Sequence, residues 1–99
     1  IVYIPYTLET KSEVKIEIYN SKGERIKYMD LANQDKGYHR IMWDGKDDKS
    51  LNCSNGIYIL RMTTNNQVYI KKMLMLKWIF LKPVYSTLTN INIGKKQIK

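Results

Sequence analysis

The stretch GYHRIMWDGKDDKS, Gly37 to Ser50, gathers the side chains of this chain that could do chemistry. It holds the only histidine, His39, the carboxylates Asp44, Asp47 and Asp48, and the hydroxyl of Ser50, with Ser54 close behind. An imidazole set between a carboxylate and a hydroxyl is the arrangement of nucleophilic acyl transfer, in which the ring takes the proton and the acid orients the ring. That chemistry needs the groups within hydrogen-bond reach and donors for the developing oxyanion. The chain has neither a nucleophile elbow nor a glycine-rich oxyanion loop. On an extended backbone of about 3.3 Å per residue, His39 also stands about 13 Å from Trp43, beyond which the aspartates begin. We expect no catalytic residue and no enzyme.

The same carboxylates are weak candidate metal ligands. Calcium loops need oxygen ligands at alternate positions and a closing glutamate. Here Lys46 occupies the second ligand position and no glutamate follows Asp48. A simpler use of Asp44 is an Asx-turn, its carboxylate accepting backbone N–H groups while Gly45 takes a conformation that other residues resist. The expectation is no cofactor, with a calcium-dependent adhesion or carbohydrate-associated β-module as an alternative. One cysteine, Cys53, excludes an intrachain disulfide and a cysteine-cluster zinc site.

A net charge of +8 invites a nucleic-acid reading, and the alternative it suggests is a basic nucleic-acid-binding β-barrel. The distribution argues against it. Through Lys77 there are thirteen basic and nine acidic residues, and beyond it four lysines and no acid. Lysines outnumber arginines fourteen to three, and lysine is the poorer choice for bidentate phosphate or guanine contacts. Tyr3, Tyr6, Tyr19, Tyr28, Tyr38, Tyr58 and Tyr69 could stack bases. They are spread over every extended segment and form no single platform. We expect no nucleic-acid partner. Lys72, Lys77 and Lys82 interrupt the apolar run KMLMLKWIFL, which falls short of the ~20 residues of a membrane span.

The elements that must position these residues are extended. Apolar residues alternate with polar ones, and no segment has a helical period. EVKIEIYN sets Val14, Ile16 and Ile18 on one face, and SKGE turns with Gly23 at positive φ. RIKYMDL resumes, NQDKG turns, and YHRIMW sets His39, Ile41 and Trp43 on one face. DGKDDKSLNCSN is the longest loop. GIYILRM opposes Ile57, Ile59 and Arg61 to Tyr58, Leu60 and Met62, and VYIKKMLML follows the Asn-rich turn TTNNQ. With IVYI at the start, six strands separated by turns predict an all-β sandwich or barrel. Residues 1–77 form this body, and 78–99 a basic C-terminal extension, either an edge strand or partly disordered.

Four blocks in order resemble one family. VKIEIYNSKGERI, DKGYHRIMWDGKDDKS, SNGIYILRM and KKMLMLK are similar to successive segments of the Ig-like domain of the flagellar hook-cap protein. The same module is found at the C-terminus of secreted bacterial proteins and overlaps type IX secretion sorting domains. The resemblance implies an Ig-like, fibronectin-like antiparallel β-sandwich of about seven strands. It implies a non-catalytic accessory module of a larger exported bacterial protein, extracellular or at the cell surface, for assembly or for sorting and anchoring. Its partners would be upstream domains of the same polypeptide, secretion machinery, or a protein pairing with an edge strand. The motif residues would be Gly23, Gly37, His39, Trp43, Asp44, Gly45, Gly56 and Tyr58. Trp43 would fill the core near Ile16, Ile18 and Ile59. Gly45 and Gly56 would serve turns, Gly37 would open the Trp strand, and Tyr58 would fill an inter-strand face or cap a corner with its hydroxyl. The family pattern has Gly about where Ser50 stands and Ser where Asn55 stands.

Overall fold

Period-two alternation becomes burial almost residue by residue. The computed structural model describes residues 2–65 and 67–76, and the backbone of a strand at 91–93. Its strands are β1 (Val2–Leu8), β2 (Ser12–Tyr19), β3 (Arg25–Gln34), β4 (Gly37–Trp43), β5 (Gly56–Thr63), β6 (Val68–Met75) and β7 (Ile91–Ile93), with no helix among the described residues.

One sheet runs β3-β2-β5-β6, antiparallel throughout. The other is β4-β1-β7, where β4 pairs antiparallel with β1 and the three-residue β7 joins β1 in parallel. Seven strands are reached only with that short parallel segment. The extension expected over 78–99 otherwise lies outside the described residues. Among the described residues the two sheets stay separate, so the fold is a sandwich and not a closed barrel.

The core lies between the sheets. Val2, Ile4, Tyr6 and Leu8 of β1 and Ile41 and Trp43 of β4 cluster with Val14, Ile16 and Ile18 of β2 and Tyr58, Leu60 and Met62 of β5. Tyr69, Met73 and Met75 of β6 complete the cluster. β1 runs through Pro5 rather than stopping at Ile4. At Pro5, which lacks an N–H, β1 is paired with β4 alone among the described strands, because its pairing with β7 starts only at Tyr6, opposite Ile91.

One expected core neighbour is corrected. Ile59 does not face Trp43; the buried row of β5 is Tyr58, Leu60 and Met62, and Ile59 lies on the outward row. The tyrosines are divided between the faces. Tyr6, Tyr58 and Tyr69 are buried, while the more exposed Tyr3 and Tyr38 lie on one sheet and Tyr28 on the other. No shared stacking platform results.

Candidate functional site

The aspartates that suggested a site lie in the connection from β4 to β5, and main-chain groups occupy them. Asp44 Oδ1 accepts the Lys46 N–H at 3.0 Å, the Asx-turn its position invites. Gly45 stands at φ +80°, and a Cβ there would meet the Met75 sulfur at 3.2 Å. Both the backbone angle and the close approach therefore favour glycine. The Lys46 carbonyl turns back to accept the Trp43 indole N–H at 3.0 Å.

Asp47 organises the next turn. Its Oδ1 accepts N–H bonds from Lys49 at 2.8 Å and Leu51 at 3.0 Å. Its own N–H donates to the Leu51 carbonyl, and its carbonyl accepts the Ser50 N–H, each at 2.9 Å. The Leu51 N–H, with help from that of Lys49, holds its carboxyl below the usual carboxylate range. Ser50 adopts φ +67°, so the serine keeps a left-handed backbone at the place where the family pattern has glycine. The loop closes where the Cys53 N–H meets the Gly45 carbonyl at 2.8 Å.

Asp48 reaches across to the other sheet. Its N–H donates to the Ile26 carbonyl at 2.9 Å, and its Oδ1 accepts the Tyr28 N–H at 3.2 Å, with the Lys27 ammonium 4.0 Å away. The loop is thereby stitched to the outer edge of β3, which would otherwise present unpaired backbone groups. Residue types predict a turn at Asp44, but nothing in them points to this contact. Its partner lies twenty residues earlier and is set by how the sheets stack.

His39 is not assembled with the aspartates. It sits opposite Tyr6 in the β1–β4 register, its ring stacked on that tyrosine at 5.2 Å. Its Nε2–H donates to the Asp35 carbonyl at 2.7 Å. Among the described residues no carboxylate or hydroxyl bonds to the imidazole, and His39 is not brought together with Asp44 or Asp47 as a triad would require. Tyr58 donates its hydroxyl to the Ser54 carbonyl at 2.6 Å and meets the Trp43 ring edge-on at 5.4 Å. Gly23 turns between β2 and β3, and Gly37 and Gly56 open β4 and β5.

A shallow groove of about 330 Å³ runs between the β2–β3 turn and this loop, lined by Asn20, Lys22, Asp47, Cys53 and Tyr58 among others. Two of its acceptors are already engaged: Asn20 Oδ1 takes the N–H groups of Lys22 and Glu24, and Asp47 Oδ1 those of Lys49 and Leu51. Among the described residues, no group of three or more His, Cys, Asp or Glu side chains is placed to hold a metal ion. No helix among them is long and apolar enough to cross a membrane.

Sequence reasoning missed a cluster on the outer face of the larger sheet. Glu17 binds Arg25 at 3.0 Å and Arg61 at 3.1 Å, bridging β3, β2 and β5. Partial burial pushes its carboxyl up, but the two guanidinium groups outweigh that and hold it below the usual value. Only the register that sets Glu17 opposite Arg61 reveals the arrangement.

The comparisons with known proteins agree with this geometry. The FlgD Ig-like domain model matches residues 3–67, ending just before β6. Among solved structures, that of FlgD from P. aeruginosa is similar, with a TM-score of 0.56 and 22% identity. The similarity covers 74% of this chain and 61% of that one, so the chain spans less than two thirds of its solved relative. At that identity the likeness is one of fold. No curated protein matches the chain.

Proposed function

The chain belongs to the family of FlgD Ig-like domains, and on that premise we propose that it is a C-terminal accessory module of a larger exported bacterial protein. In this reading it acts in assembly at or beyond the cell surface, as a hook-related structural domain, and contributes to the sorting and anchoring of its parent. The family is structural and non-catalytic. One observation carries the reading: His39, Asp44, Asp47, Asp48 and Tyr58 all bond to main-chain atoms that shape β4 and its loop. The residues that resembled an active site support a rigid sandwich end. No cofactor enters this reading.

The test uses the parent polypeptide. Deleting this domain is expected to abolish export or assembly while leaving any activity of the other domains intact in the purified protein. Loss of that activity with export and assembly unimpaired would overturn the proposal.

A further inference from the structure

Charge is segregated along this chain. All nine acidic residues lie at or before Asp48, and the nine basic residues from Lys49 onward share their half with none. The β5–β6 ribbon therefore carries Arg61, Lys71 and Lys72 without a carboxylate. Arg61 is engaged by Glu17, whereas Lys71 and Lys72 make no ion pair among the described residues.

β6 is an edge strand, with β5 on one side and no described strand on the other. Its outward row is largely apolar and open to solvent: Val68 is 48% exposed, Ile70 67% and Leu74 45%, with Lys72 between the last two. Ile57 of β5, beside Leu74, widens the patch. The other edges differ. Asp48 stitches the edge of β3, and on β4 the basic residue Arg40 lies over the Tyr3 ring at 4.7 Å.

Charge decides what fits this edge. A second copy added antiparallel and centred on β6 would set Lys71 against its own counterpart, or Lys72 against its own, and like charges directly opposite destabilise a pair. Lys71 is half-buried on the same row as Tyr69 and Met73, so a neutral strand would cover it without a partner. Inward-pointing charge is one way in which edges reject indiscriminate pairing. A strand with two adjacent carboxylates satisfies both lysines at once, and apolar residues on either side of them stand opposite Ile70 and Met73.

We propose that the edge of β6 that no described strand covers accepts, as an added strand, an extended segment of a partner protein in which two adjacent carboxylates are flanked by apolar residues. Main-chain bonds would supply affinity and the lysine pair selectivity. The inference rests on the assembly reading above and supplies its partner chemistry.

The probe is the peptide Thr-Val-Thr-Val-Glu-Glu-Val-Thr-Val-Thr, titrated into the isotope-labelled full chain and followed by amide shifts and hydrogen exchange. Perturbation and slowed exchange should centre on β6, and binding should weaken as salt rises. The Lys71→Glu, Lys72→Glu double variant should lose at least about tenfold in affinity and recover it with a peptide carrying Lys-Lys at the centre. On the unaltered chain the Lys-Lys peptide should not bind, a control independent of how the variant folds. Equal binding of both peptides, perturbation centred on β3 or β4, or self-association of the chain alone by sedimentation would each overturn the proposal. So would β6 amides already protected in the free chain, since its own residues 77–90 would then occupy the edge. If the peptide fails while deletion from the parent still blocks assembly, assembly uses another face and only this inference falls.

Discussion

Replacing Trp43 tests the packing that joins the two sheets to the loop. Its side chain is 1% exposed, donates to the Lys46 carbonyl at 3.0 Å and meets Tyr58 edge-on at 5.4 Å. Truncating such a residue to alanine loses its transfer free energy and leaves a cavity, together about 3–5 kcal/mol. A domain of this size has about 5–15 kcal/mol of stability in total. The loss thus takes a fifth of it at the least, and lowers Tm by roughly 12–40 °C. Trp43→Phe keeps a ring in the core and removes the indole donor. Lys46 is exposed, so water can serve the orphaned carbonyl, and the cost falls to about 1–2 kcal/mol. Urea unfolding followed by far-UV circular dichroism measures both, with the slope unchanged if only the folded state is affected. Fluorescence is the poorer probe because Trp78 also emits. An alanine variant within about 1 kcal/mol of the parent, or a phenylalanine variant worse than alanine, would refute the reasoning.

Tyr58→Phe removes only the bond to the Ser54 carbonyl and should cost about 0.5–1.5 kcal/mol by the same denaturation assay. Ser50→Gly should stabilise by a few tenths up to about 1 kcal/mol: relief of the left-handed backbone exceeds the entropy gained by the unfolded chain. Asp47 and Glu17 both have folded pKa values below their unfolded ones, so their stabilisation is full above the ordinary carboxylate range and is lost as pH falls through the folded values. Tm measured from about pH 6 down to about pH 2 should therefore drop, and Asp47→Asn should make that drop shallower. Calcium or a chelator should leave Tm unchanged, because main-chain N–H groups already engage Asp44, Asp47 and Asp48; a rise with calcium would reopen the loop as a ligand site.

How much of this was legible follows from what alternation encodes. It separates a strand into two rows but does not say which row faces the core. In β2 the rows differ so sharply that Val14, Ile16 and Ile18 could only be inside. In β5 both rows are apolar, so alternation offers Ile59 to Trp43 as readily as Tyr58, and it is Tyr58 that stands there. The deciding residue was Arg61, which shares a row with Ile57 and Ile59 and needs the solvent-facing Glu17 as its partner. In the loop, Asp44 was readable because its partner is two residues away, whereas the contacts of Asp48 with β3 require the whole sandwich to exist first. β6 shows the same ambiguity as β5, with Tyr69, Met73 and Met75 inward and Val68, Ile70 and Leu74 outward. A strand apolar on both rows usually lies deep in a sheet, covered on both faces. β6 lies at the edge, so the sandwich accounts for the apolar residues of its inner row alone; the outer row, with Lys72 between Ile70 and Leu74, and the unmatched Lys71 beside it on the inner row are what a partner strand would explain.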